Sequence, residues 1–195
     1  MIYDLPKTAT VDGVELAIRY DYRVILTILE MLNDPDLPDD AKAEGLIELF
    51  YIEPQKAGKN PKAAVEACYD FIDMGEAPGK KSPRVMDWEQ DFRYIVAPVN
   101  RVLGYECRAV PYDYEKNEGG LHWFTFLSAY MEVGGDCMFS QIVSIRDKLA
   151  RGKKLEKYER EWLNRNRNIV DLRQKLSQEE NDLASSWMGG GKKNG

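Results

Sequence analysis

The stretch LHWFTFLSAY, residues 121–130, places the chain's one histidine among four aromatic side chains. It is either the wall of an active site or the middle of a core, and the choice decides how the whole chain is read. At about 100° per residue on a helix, Trp123, Phe124, Phe126, Leu127, Tyr130 and Met131 cover more than a third of the circumference. Leu121, Ala129 and Val133 extend that cover. His122, Thr125, Ser128 and Glu132 share one polar strip. A helix this apolar is buried on most sides, so the spacing predicts the central core helix, with Trp123 inside it. No Ser, Cys or Asp stands where it would make His122 a base. Asp136 and Cys137 follow only at loop distance. His122 is expected to be a hydrogen-bonded boundary residue.

Outward from this core, MDWEQDFRYIVAPVNRVLG (86–104) sets Trp88, Phe92, Ile95, Val96, Val99, Val102 and Leu103 on one helical arc. Pro98 should kink that helix or mark its weak point. Asp87, Glu89 and Asp91 read as an acidic first turn that favours the helix dipole, rather than as a metal or acid–base site. In MFSQIVSIRDKLA (138–150), Arg146 projects from within the apolar face. An arginine there either snorkels to solvent or needs a buried carboxylate. Asp91, at the border of the facing arc, is the first candidate.

Towards the N-terminus, Asp12-Gly13 between two short β-prone runs predicts a hairpin. Asp21 is a natural N-cap for a helix with a narrow polar strip of Arg23, Thr27 and Glu30. A second helix is expected over 39–51, and a third from Asn60 as N-cap with Pro61 at its first position. GEAPGKKSP (75–83) and CRAVPYDYEKNEGG (107–120) read as loops, the first as the best candidate for a mobile one.

Composition bounds the function. A hydrophobic share of 44% and a charged share of 31% over 195 residues describe a globular chain with a sizeable core. No apolar run reaches membrane-spanning length, and the N-terminus lacks the features of a secretory signal. Cys68, Cys107 and Cys137 are too scattered for a disulfide frame or a zinc site. No nucleotide fingerprint, nucleophile elbow or phosphate loop is present. The expectation is a non-enzymatic protein with no cofactor and no metal.

Charge is unevenly spread. Residues 146–175 hold eleven Lys/Arg against five acids, whereas residues 1–145 hold fourteen Lys/Arg against 25 acids. The expected architecture is mainly α, a helical bundle with an N-terminal β-hairpin and a long basic C-terminal helix. It divides into an acidic body (1–152), a basic amphipathic arm (153–187) and a disordered tail (188–195). Along the arm, Leu155, Trp162, Ile169, Leu176 and Leu183 recur every seven residues. This stripe either seeks a partner or lies along the chain's own core. Its charge could suit nucleic acid or the acidic body of a second copy, but the acidic body would repel phosphate.

In this order the pieces resemble the bacteriophage gene-product-fifteen family. The resemblance rests on Leu5-Pro6 with Val11-Asp12-Gly13, Asp21-Tyr22-Arg23, Asp87-Trp88-Glu89-Gln90-Asp91, Leu121-His122-Trp123 and Ile145-Arg146. It covers about residues 1–175, with Phe124 standing where a second tryptophan would be expected. It implies a tail-morphogenesis protein encoded between the major tail protein and the tape measure protein. Such a protein acts as a tail assembly chaperone or accessory that binds the tape measure protein in the host bacterial cytoplasm. The major tail protein is a further possible partner, and a homo-oligomer is possible. A structural tail or baseplate component retained in the virion is the alternative.

Overall fold

Side-chain caps place the first helices. In the computed structural model, which describes residues 4–76, 82–173 and 177, Asp21 accepts from the Arg23 N–H and opens α1 (Tyr22–Leu32). Asn60 accepts from the Ala63 N–H at 3.3 Å and opens α4 (Pro61–Ile72), with Pro61 at the first turn. Between them lie α2 (Asp39–Phe50) and the single turn α3 (Pro54–Ala57). The hairpin pairs β1 (Thr8–Val11) with β2 (Val14–Ala17) in antiparallel register. Asp12 and Gly13 both take positive φ, 49° and 78°, as the two-residue turn that follows strand twist requires. The Asn60 amide donates to Asp12 Oδ2 at 2.7 Å, so the cap of α4 also pins the hairpin turn. An isolated hairpin is marginal in water. This one docks on α4, and the chain beyond β2 joins residues 50–52 through Arg19 N–H to Phe50 O and Ile52 N–H to Ala17 O.

The second half is built on α5 (Trp88–Leu103), α6 (Trp123–Met131), α7 (Met138–Ala150) and α8 (Lys157–Val170). α5 continues through Pro98, whose side chain is buried, and ends on Gly104 at φ 78°. α8 packs on α7, α7 on α5, and α5 on α1 and α6; α1 then packs on α2, and α2 on α4. The described chain is therefore mainly helical with an N-terminal hairpin. One large core runs through both halves, including Ile25, Ile28, Phe50, Tyr51, Ile95, Trp123 and Phe126. A small satellite of Ile145, Leu163 and Val170 lies between α7 and α8.

Two expectations are corrected. The segment 107–120 is not a plain loop. A 3-10 turn (Cys107–Ala109) leads to a second hairpin of β3 (Tyr112–Asp113) and β4 (Glu118–Gly119). The core helix begins at Trp123, because the Asp21–His122 bridge holds the preceding residues extended. In the segment expected to form the basic arm, the described residues hold one helix, α8. It starts at Lys157 behind a Glu156–Glu159 capping box and stops at Val170, with Asn166 already off helical geometry at φ −123°. Asp171 to Arg173 are not helical. The expected continuation through Leu176 and Leu183, the tail 188–195, and most of the 75–83 loop lie outside the described residues.

Candidate partner-binding groove

His122 is the N-cap of α6. Its Nδ1 accepts from the Phe124 N–H at 3.0 Å, and its Nε2 lies 2.8 Å from the Pro6 carbonyl. Only the neutral ring with its proton on Nε2 serves both. Burial lowers its pKa from the ordinary value. With both nitrogens engaged, the ring has no free lone pair for proton transfer or metal. Trp123 is buried, its indole N–H donating to Ile72 O at 2.9 Å and so tying α6 to the end of α4.

Asp21 joins the two N-termini. Beyond capping α1 it accepts from the Leu121 N–H at 2.8 Å and from Arg23 Nε at 2.7 Å. Tyr22 N–H donates to Leu121 O, and Trp123 N–H donates to Tyr20 O. Gly120, at φ 77°, is where a Cβ would collide with Asp21 Oδ2 and the Tyr112 ring. No spacing rule links residues 21 and 120 in the sequence.

Asp91 and Arg146 meet. Both are almost wholly buried, at 0% and 4% side-chain exposure, and the pair is bidentate. The remaining guanidinium N–H groups go to carbonyls: Nε to Val170, Nη1 to Val85 and Nη2 to Ile169. All five donors are used, which satisfies the condition for burying this charge. Two of these acceptors are carbonyls at the end of α8, where a helix leaves carbonyls unpaired and favours a cation. Gln90 completes the dock, donating to Asp171 O at 2.9 Å and accepting from the Arg173 N–H at 3.0 Å. α8 is thus fastened to α5 at its C-terminal end and to α7 by Lys148–Glu159 at 2.5 Å.

The stripe residues Leu155, Trp162 and Ile169 are half-buried and pack on Ile145, Leu163 and Val170. Their apolar seam is largely used inside the chain, and Leu176 lies outside the described residues. An open apolar surface occurs elsewhere. Between α1 and α5 a groove of about 440 Å³ is lined by Tyr22, Leu26, Trp88 and Phe92, with Arg23, Arg108, Glu30 and Glu89 around it. Tyr22 is buried beneath, stacked on Phe126 with ring centroids 4.5 Å apart, and burial pushes its hydroxyl pKa up. Trp88 is half-buried against Tyr130 and Trp123. The two arginines are held by the protein itself. Arg23 is clamped on Asp21, and Arg108 on Glu106, whose carboxyl it holds down to about 2. The groove therefore offers a fixed hydrophobic floor under a rim of both signs. Trp88 is legible in the sequence only as a core residue. That it also walls an open groove depends on how α1 crosses α5.

Among the described residues no group of three or more His, Cys, Asp or Glu could hold a metal ion, and no helix is long and apolar enough to cross a membrane. Cys68 is buried and its thiol pKa is pushed up. Among the described residues the histidine is engaged at both ring nitrogens, and an open apolar groove lies between α1 and α5. The family model described as "Bacteriophage Gp15 protein" matches residues 1–172, and the chain belongs to that family. This is a phage structural or morphogenesis family, as the order of motifs implied. No curated protein and no solved structure matches the chain.

Proposed function

We propose that the chain acts, without enzymatic chemistry, as a tail assembly chaperone or accessory. In this reading it binds a helical segment of the phage tape measure protein in the host cytoplasm during tail morphogenesis. The observation that carries it is the groove floored by Tyr22, Leu26, Trp88 and Phe92. An amphipathic helix lays an apolar face into such a groove and presents its charges to the rim. Membership of a phage morphogenesis family supports the setting. A tape measure protein has long apolar-faced helices to keep soluble until tube subunits cover them. Affinity would come from two or three apolar anchors per bound segment, and the mixed rim would set orientation more than strength.

Co-expression with the tape measure protein tests this directly. The two should co-purify, and mass spectrometry of finished particles should lack this chain. A chain retained in purified virions, with no tape measure protein on the free form, would instead make it a tail or baseplate component.

A further inference from the structure

The chain leaves α8 along one face of α5. Gln90 holds it there, donating to Asp171 O at 2.9 Å and accepting from the Arg173 N–H at 3.0 Å. At about 100° per residue, Gln90, Tyr94, Ala97 and Arg101 fall within roughly 60° of arc on α5. Trp88 and Phe92, which wall the α1–α5 groove, fall on the other side of the helix. The face marked by Gln90 borders a second groove, of about 500 Å³, between α5 and the start of α7. Tyr94, Ala97, Pro98 and Met138 line it together with Arg93, Arg101 and Cys137. Ala97 is exposed and Met138 is 46% exposed, so apolar surface is left open there.

This groove is positive on balance. Arg93 is exposed, lies over the Tyr94 ring and forms no ion pair among the described residues. Glu89, one turn before it, lines the α1–α5 groove instead. Arg101 meets Asp136 at 3.3 Å, an exposed pair that offsets its charge only in part. The sequence beyond Arg173 has the complementary composition. Leu176, Leu183, Trp187 and Met188 are apolar, and residues 176–188 hold Glu179, Glu180 and Asp182 with no Lys or Arg, Lys175 standing just before them. Reach is sufficient. Gln90 to Arg101 spans about 16 Å of helix. From Arg173 the chain can extend up to about 10 Å to Leu176 and about 35 Å to Leu183. Ser177 is still half-buried.

We propose that the chain's own C-terminal segment, residues 174–188, docks in cis along α5 into this second groove. Leu176 seats against Tyr94 and Ala97, and Leu183 against Pro98 and Met138. The carboxylates of Glu179, Glu180 and Asp182 face Arg93 and Arg101. A segment joined directly to its site acts at an effective concentration on the order of millimolar, which a second copy at micromolar concentration does not match. The contact leaves the α1–α5 groove uncovered and needs no tape measure protein.

Cys137 lines the groove and serves as a native reporter, because Cys68 and Cys107 are buried. Its labelling by a neutral thiol reagent, followed by peptide mass spectrometry on the full chain, tests the proposal. With the segment docked, labelling proceeds through the undocked fraction. Leu176→Asp/Leu183→Asp and Arg93→Glu should each label at Cys137 at least about threefold faster than wild type. The wild-type rate should not change between about 1 and 100 µM protein. A variant whose Cys68 also labels has lost its fold, and the exposed Arg93→Glu then decides. Equal labelling in wild type and either folded variant would overturn the proposal. So would protection that grows with protein concentration, the sign of a second copy in the groove.

Discussion

Arg146 grips Asp91 with both terminal nitrogens, Nη1 to Oδ2 at 2.5 Å and Nη2 to Oδ1 at 3.0 Å, across the α5–α7 contact. The same guanidinium holds the Ile169 and Val170 carbonyls that end α8. One side chain thus joins three helices, and its partners should be energetically coupled.

Arg146→Met and Asp91→Asn should each destabilise by about 3–5 kcal/mol, because each leaves a buried charge without its partner. The double variant should cost less than the sum, with a coupling of roughly 1–3 kcal/mol by urea unfolding. Additive losses would mean that the two groups do not depend on each other.

Trp123→Ala should cost about 3–5 kcal/mol as a large buried aromatic. Trp123→Phe should cost less yet still exceed a pure volume change, since the Ile72 carbonyl loses its donor. Thermal melts of both variants check this, and a wild-type melting temperature for Trp123→Ala would remove α6 from the core.

His122 carries a pH dependence of defined sign. Its folded pKa lies below the ordinary value, so its contribution is fully present above about pH 6.5 and is lost as pH falls through the folded value. His122→Asn keeps an acceptor for the Phe124 N–H and should lie within about 1 kcal/mol of wild type at pH 7.5. The gap between the two should narrow as pH falls below about 6.5. Stability curves that run parallel across that range would contradict the neutral cap.

Gly120→Ala should destabilise by more than about 1 kcal/mol, because φ 77° disfavours a side chain and the new Cβ meets Asp21 and Tyr112. Urea unfolding should register the loss, which Asp21→Asn should partly share. A Gly120→Ala variant as stable as wild type would mean that the 21–120 approach is not tight.

What is legible in the sequence is what local chemistry decides. Asp21 and Asn60-Pro61 announce helix starts because the capping side chain sits beside the N–H groups it serves. Asp12-Gly13 announces its turn because few other pairs accept two positive φ angles. Asp91–Arg146 is reachable because a buried cation demands an anion and few acids border an apolar arc. The rest depends on contacts between distant segments. His122 reads as one residue of a polar strip until residues 20–22 draw the chain before it into an extended bridge and make it a cap. The heptad stripe leaves its partner open in the sequence because Ile145 and the Arg146 clasp, which cover it, lie on another helix. The groove has no motif at all. Leu26 and Trp88 are 62 positions apart, and only the α1–α5 crossing brings them to one wall.

The groove is the centre of the functional account, and Leu26 is its half-buried, substitutable floor residue. Isothermal titration of helical tape measure segments into wild type and Leu26→Glu, with melting curves confirming that both are folded, tests that account most directly. The expected result is binding to wild type and at least about tenfold weaker binding to the variant, the loss of roughly one apolar anchor. Equal affinity for both folded proteins would contradict it.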